Sequence, residues 1–390
     1  MSGRKPTQPP LRKVALLIET SNAYARGLLQ GIVAYQREHR PWSIFLAEHT
    51  RGDCPPDWLA HWDGDGIIAR IENAAIARAL RKVRLPIVDM SAARLLPSVP
   101  WFETDDAAVA QAGFEHLRER GFRHFAFCGD PHFNWSHWRQ EHFEHASRVE
   151  GRDCFTYSPT RAAGHDEVDA IARWIRKLPK PVGIMACYDL RGVQVLDACR
   201  RLGVPVPDEV AVVGVDNDEL LCELAHPPLS SVTPNTRRTG YEAAALLARL
   251  MDGGKARGKA RAETHLIPPL GVATRQSSDV LAIEDPHVSR AVRFIRARAC
   301  EGINVKDVLR AVPQGRRLLE ARFKKLLGRT PHEEILRVQI NRVRQLLIET
   351  ELPLAAIAER TGFEHVEYLG VVFKRETGRT PGAYRVQNAK

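Results

Sequence analysis

At 390 residues the chain has room for two or three domains with substantial cores, and its net charge of +10 is unevenly held. The stretch from Pro286 onward contains 21 of the 57 Lys+Arg and 11 of the 47 Asp+Glu, so the 36 of each sign that remain in front of it cancel. Seven cysteines without a CxxC pair point away from a disulfide framework or a thiolate zinc site, and no apolar run has signal-peptide or membrane-span length; a reducing cytoplasm is the expected compartment.

Residues 1–11 are polar and proline-rich and read as a disordered tail. From Val14 short apolar strands alternate with amphipathic helices: VALLI, a helix near Leu28 to Arg37, SIFLA, Trp58 to His61, GIIAR, Ala74 to Lys82, PIVDM. After Phe102-Glu103-Thr104-Asp105 come a helix from Ala107 to Arg120, HFAFCGD, a helix from about Trp138, CFTYS, PVGIMAC, a helix from Leu190 to Arg201, and VAVVGVD. That rhythm predicts doubly wound parallel sheet, a scaffold compatible with many functions.

Particular strings narrow the choice. The run from Asp105 through HLRERGFRHFAFCGDP to Arg139 and Phe143, then ACYDLRGVQVLDACRRLGVPVPDEVAVVGVDND and PPLSSV, resemble the ligand-binding core of the lactose/galactose-repressor family. The resemblance covers about Arg12 to Val280 and implies a two-lobed α/β periplasmic-binding-protein-like domain of type I, with parallel sheets, three crossings and a ligand in the cleft. Those repressors carry a helix-turn-helix at the N-terminus, and here only about ten residues precede the first strand.

A sugar's hydroxyls donate and accept, so its cleft needs carboxylates, amides, Arg and aromatic faces, gathered at the ends of parallel strands. Asp216 ends VVGVD and matches the family's hydroxyl-binding aspartate; a turn or cap role is the alternative. Arg139 matches the family's cleft arginine, against a surface helix arginine. Asp189 follows Tyr188 where the family has Asn, so it either contacts ligand or caps the next helix. Asn22 and Tyr24 are cleft candidates in the loop after the first strand, with capping as the alternative. Trp135 and Trp138 both suit stacking, and Trp138, beside Arg139, is preferred.

Other signals carry little. His132, His137, His142 and His145 lack recognised metal-ligand spacing, MDGGKARGKA lacks the order of a phosphate loop, and no nucleophile signature is present. No catalytic residue, cofactor or metal is expected. Glu284-Asp285-Pro286 interrupts the helical pattern near Ile283 to His287, and VSRAVRFIRARAC opens the tail as a basic amphipathic helix.

The tail repeats itself: FKKLLGRTP at 323–331 returns as FKRETGRTP at 373–381, a period of 50 residues. In the first copy Val305, Val308 and Leu309 mark a short helix, Pro313 to Gly315 a turn, and Leu318, Leu319 and Phe323 the core side of a second helix. In the second copy Ile357 and Ala358 precede a turn at Gly362, then Val366, Leu369, Val372 and Phe373 face inward until Gly378 and Pro381 stop the helix. Ile357, Ala358, Gly362, Phe363, Phe373, Gly378, Thr380, Pro381, Tyr384 and Arg385 carry a strong resemblance to the DNA-binding domain of the AraC-type transcription regulators. The expected architecture is therefore residues 12–282 as a two-lobed sugar-binding and dimerisation domain and 283–390 as an all-α domain. The latter holds helix-turn-helix units at 305–326 and 354–376 joined by a helix at 333–350.

Recognition helices place their N-terminal residues on base edges. Arg316, Arg317 and Glu320 are candidates in the first unit, with Lys324 and Lys325 nearer phosphates; His365, Glu367 and Tyr368, with Lys374 and Arg375, are the counterparts in the second. The order of parts, with LLIETSNAYARGLLQGI and IPPLGVATRQSSD, resembles the xylose-operon activators. That likeness implies a cytoplasmic homodimer activating pentose-catabolism genes, partnered by double-stranded DNA and a pentose effector, D-xylose foremost, with RNA polymerase a further candidate partner. A ligand-independent regulator and an α/β enzyme fused to a DNA-binding tail are the alternatives.

Overall fold

The computed structural model describes residues 10–46, 56–157, 167–253, 263–279, 285–350 and 352–388. The first nine residues, Cys54, Ser158, the 254–262 loop and residues 283 and 284 of the expected boundary lie outside them. The chain forms two compact units, one before residue 280 and one after it.

In the front unit the first lobe takes β1 (Lys13–Leu17), α1 (Ala23–Glu38), β2 (Ser43–Leu46), a 3₁₀ turn at Asp57–His61, β3 (Gly66–Ala69), α2 (Ala74–Leu80), β4 (Ile87–Asp89) and β5 (Trp101–Thr104). The second lobe takes α3 (Asp106–Glu119), β6 (His124–Cys128), α4 (Asn134–Val149), β7 (Cys154–Tyr157), α5 (Glu167–Ile175), β8 (Val182–Ala186), α6 (Asp189–Leu202), β9 (Val210–Val215), α7 (Glu219–Leu224) and β10 (Ser230–Thr233). The chain returns through α8 (Thr236–Met251) and β11 (Thr264–Ile267) to the first lobe, then crosses again to β12 (Gly271–Ala273). These are three crossings.

The first sheet runs β11-β5-β4-β3-β1-β2, with every paired strand parallel. The second runs β12-β10-β9-β8-β6-β7 and is parallel except for β12, which pairs antiparallel with β10 at the edge. A strand covered on both faces is apolar at every position. In β1 and the residue after it, Val14, Leu16 and Ile18 pack with Leu28 and Ile32 of α1 and Leu247 of α8, while Ala15 and Leu17 pack with Ile76 and Leu80 of α2. Helices α1 and α8 touch backbone to backbone: a Cβ on Gly31 would lie 2.1 Å from the Arg237 carbonyl oxygen, and one on Gly240 2.0 Å from that of Leu28. Two helix starts differ from expectation. Asn22 caps α1 through its side chain, so that helix opens at Ala23, and α4 opens at Asn134, four residues before Trp138.

The second unit is all helical: α9 (Pro286–Arg298), a 3₁₀ turn at Ala299–Glu301, α10 (Val305–Ala311), α11 (Arg316–Leu327), α12 (Pro331–Glu349), α13 (Leu354–Arg360), α14 (Val366–Thr377) and α15 (Pro381–Asn388). Pro331 begins α12, and Pro381 begins α15 rather than only ending α14, because a proline fits the first helical position, where no N–H is needed. Ile335 of α12 joins Val292, Val308, Leu319 and Phe323 in one core, and Leu336, Ile340, Val343 and Leu347 join Ile357, Leu369 and Phe373 in another. One helix serves both subdomains. Leu318 does not lie on the core side; it is half exposed, and Leu319 and Phe323 alone of the expected three are buried.

Candidate functional site: an interlobe cleft and two recognition helices

The carboxyl ends of strands from both lobes of the front unit converge on a cavity of about 200 Å³. That lies below the roughly 300–1,000 Å³ of drug-sized sites and suits a small solute. On the first-lobe side Arg70, just after β3, pairs with Glu19 and with Glu72 at 2.6 Å, donates to the Met90 carbonyl at 3.3 Å, and stands 5.3 Å over the Tyr24 ring. Burial alone would loosen the guanidinium proton, but Glu19 and Glu72 hold it charged. The Tyr24 hydroxyl donates to Glu103 at 3.0 Å and lies 3.1 Å from the Thr104 hydroxyl. Burial, then the charge of Asp106, pushes the Glu103 carboxyl up to about 7.

On the second-lobe side Arg139 is buried. It donates to Asp106 at 2.6 Å and to the Cys187 carbonyl at 2.6 Å, with its guanidinium 4.8 Å from the Trp135 ring centre. Asp189, the first residue of α6, accepts from the Ser231 hydroxyl at 2.5 Å and from the Asp218 N–H at 2.8 Å. Burial, then the neighbouring Asp216, pushes its carboxyl up to about 8. Asp216 lies one residue beyond β9 with φ +107, a backbone that L-residues rarely adopt. Carboxyls poised between neutral and ionised forms, beside two fixed guanidinium groups, can both donate to and accept from hydroxyls.

Of the expected ligand residues, Asn22, Tyr24, Arg139, Asp189 and Asp216 line this cavity. Asn22 also keeps its capping role, accepting from the Ala25 N–H at 2.8 Å while donating to Glu19 at 3.0 Å. Asp189 does not cap α6: the cap position is Tyr188, and the carboxyl of Asp189 is bonded to Ser231 and Asp218. Trp138 is a correction. Because α4 begins at Asn134, Trp135 stands one turn before Arg139 and lines the cleft, whereas Trp138 packs edge-on to Trp101 at 6.3 Å. The sequence reading missed Arg70, Glu103, Tyr188 and Asp218, all on the lining. Arg70 and Glu103 stand at strand ends, the same signal that marked Asp216.

In the second unit α11 and α14 present their outer faces to solvent. Arg317, Lys324 and Lys325 are exposed on α11, and Arg316 donates to Glu320 at 2.9 Å, so these two candidates are already paired to each other. His365 occupies the cap position of α14, Glu367, Tyr368 and Lys374 are exposed, and Arg375 pairs with Glu376 at 3.0 Å. Near the start of α12, the fully buried Glu334 holds Arg337 at 2.9 Å, Arg329 at 2.5 Å and Arg296 at 3.7 Å. Burial would raise its carboxyl, but the three arginines overcome that and hold it below the usual carboxylate range. The two subdomains are also tied directly: the Gln339 amide donates to the Ala299 carbonyl at 3.0 Å and to the Gly362 carbonyl at 3.2 Å. Gly362 has φ +73, and a Cβ there would lie 2.5 Å from the Gly302 nitrogen. Among the described residues no cluster of His, Cys, Asp or Glu suits a metal ion, and no helix is long and apolar enough to cross a membrane.

Three family models match in succession: XylR N-terminal domain over residues 13–107, periplasmic binding protein-like domain over 114–278, and helix-turn-helix domain over 308–387. The chain is 35% identical over 389 residues to the xylose operon regulatory protein of Escherichia coli strain K12, covering 97% of this chain and 98% of that protein. It is 33% identical over 392 residues to the protein of the same name from Haemophilus influenzae, covering 96% and 98%. A solved structure of the xylose-binding transcription activator xylR, 34% identical, superposes with a TM-score of 0.77 and covers 97% of this chain and 99% of that one. With both units matched end to end, the chain belongs to the family of xylose operon regulatory proteins, which are DNA-binding transcription regulators and not enzymes.

Proposed function

We propose that the effector of this regulator is a pentose, D-xylose foremost, bound in the interlobe cleft, and that it switches the chain to activate pentose-catabolism genes. The observation that carries this reading is the juxtaposition of Arg139, Asp216 and Glu103 around a cavity sized for a small polyol, in a chain whose full-length relatives are named for a xylose operon. Arg139 takes lone pairs of the ring hydroxyls, Asp216 and Glu103 take or give their protons, and Trp135 offers a ring face. A ligand bonded to both lobes binds the closed arrangement better than the open one, and only that difference can shift the equilibrium between them.

In this reading the protein works as a homodimer in the cytoplasm, and lobe closure changes how the protomers present their second units. The two recognition helices of one chain then engage adjacent half-sites. Helix α12, of 19 residues, spans about 28 Å at 1.5 Å per residue, close to the roughly 34 Å between successive major-groove turns. Activation makes RNA polymerase a further partner.

The test is a thermal-shift series on the full chain with D-xylose, L-arabinose and D-ribose, paired with duplex binding in the presence and absence of each sugar. D-xylose raises the melting midpoint and changes DNA affinity, and Asp216→Asn loses the shift while its sugar-free DNA binding stays. A full xylose shift in Asp216→Asn, or DNA binding indifferent to every pentose, contradicts the reading.

A further inference from the structure

The 50-residue repeat puts α11 and α14 in register, with Phe323 opposite Phe373, Lys324 opposite Lys374 and Lys325 opposite Arg375. In each helix two apolar residues spaced three apart lie off the buried face, and in α11 Leu326, 41% exposed, lies off it as well. In α11 the two are Leu318, 49% exposed, and the exposed Ala321; in α14 they are Tyr368, 47% exposed, and Val371, 66% exposed. Single apolar side chains on a surface need no explanation, but an apolar pair at equivalent positions of both copies is a pattern, its larger aliphatic member being Leu318 in α11 and Val371 in α14.

Each pair runs along the outer face from the first turn toward the basic last turn, where Lys324 and Lys325 or Lys374 and Arg375 carry charge complementary to phosphate. We infer that these apolar pairs read thymine, Leu318 in one half-site and Val371 in the other, by covering its 5-methyl group. The inference rests on α11 and α14 lying in the major groove. There thymine presents an apolar methyl that no other base carries, and an aliphatic side chain without a hydrogen-bonding group distinguishes it by removing that methyl from water. The hydrogen-bonding residues beside them, Arg317 and Glu367, then read neighbouring bases, so each helix combines one polar and one apolar criterion.

The probe is a duplex selected by the full chain from a random-sequence pool, then resynthesised with deoxyuridine in place of each thymine in turn, which removes one methyl group and nothing else. For the unmodified chain, substitution at one thymine per half-site weakens binding about fourfold, the effect of uncovering one buried methyl. Leu318→Ala shows a similar loss on the all-thymine duplex and no further loss with deoxyuridine at its own position. Val371→Ala does the same at the other half-site. Both side chains are solvent-facing, so unchanged melting midpoints accompany the loss. The inference is overturned if no deoxyuridine substitution matters or if the variants remain fully sensitive to it. It is equally overturned if they bind DNA normally and lose only transcription by RNA polymerase, which makes the apolar pairs a protein contact. A pool that yields no selected sequence removes the inference together with the DNA-reading role of these helices.

Discussion

Asp106 and Arg139 form a 2.6 Å ion pair in which both side chains are almost wholly buried, one at the first residue of α3 and the other one turn into α4. Arg139 lines the cleft and faces the charge of Asp216, so under the proposed function the pair holds the arginine ready for ligand at a cost in desolvation.

Removing one partner leaves the other buried without its counter-charge. Arg139→Met is expected to destabilise the front unit by about 3–5 kcal/mol, and adding Asp106→Asn to recover part of that loss. All seven tryptophans precede Pro286, so urea unfolding followed by tryptophan emission reports this unit alone. A loss near zero, or a double variant no more stable than Arg139→Met, counts against the pair as described.

The second prediction concerns pH. Asp89 is buried, with one carboxyl oxygen accepting from the Ile71 and Ser91 N–H groups and the other without a hydrogen-bond partner, and burial pushes it up from 3.8 to about 8. A carboxyl with a raised folded value contributes stability that is complete in acid and lost as pH rises through that value. Glu103, at about 7, and Asp189, at about 8, act in the same direction. His116, which burial first and Arg120 second lower to about 3, acts oppositely, losing its contribution as pH falls below 6.5. Between about pH 6.5 and about pH 8.5 the carboxyls therefore dominate and the melting midpoint of the front unit falls. Asp89→Asn keeps the acceptor, removes the titration and flattens that slope; an unchanged slope in tryptophan-monitored melts refutes the assignment.

Gly362 and Gly378 separate two effects. Both have φ near +74, but a Cβ on Gly378 meets nothing within 4 Å whereas one on Gly362 meets the Gly302 nitrogen at 2.5 Å and the Ala299 carbonyl oxygen at 2.9 Å. Gly378→Ala is expected to cost about 1–2 kcal/mol from backbone strain alone. Gly362→Ala costs more and loosens the contact between subdomains. Hydrogen exchange of α12 to α14 checks this: faster exchange in Gly362→Ala than in Gly378→Ala is expected, and equal rates dismiss the contact.

Much of the architecture was legible because its causes are local. The unbroken apolar run at Val14 to Ile18 announces a strand covered on both faces, and Leu369, Val372 and Phe373 announce one face of a helix. The cleft was only partly legible. Asp216 shows itself at a strand end, but the link from Arg70 back to Glu19, or from Tyr24 to Glu103, joins segments whose meeting depends on strand order and leaves no periodic trace. The sequence favours Trp138 over Trp135 because helix phase depends on where α4 begins, and Phe133-Asn134 carries no side-chain capping bond to mark it. Leu318 was misplaced for a related reason. Three apolar residues in α11 fit one stripe on paper, and the compact core beneath needs two.

The seam at Gln339 bears on how the operator is measured. With one amide gripping carbonyls from both subdomains, and Gly302 pressed against Gly362, the reading helices stand at a set gauge. Each base pair inserted between half-sites displaces the second by about 3.4 Å and turns it by about 35° around the duplex axis. A jointed linker could follow such a change; a caliper cannot. Under the proposed function, spacing within the operator is thus written into the protein as firmly as base identity.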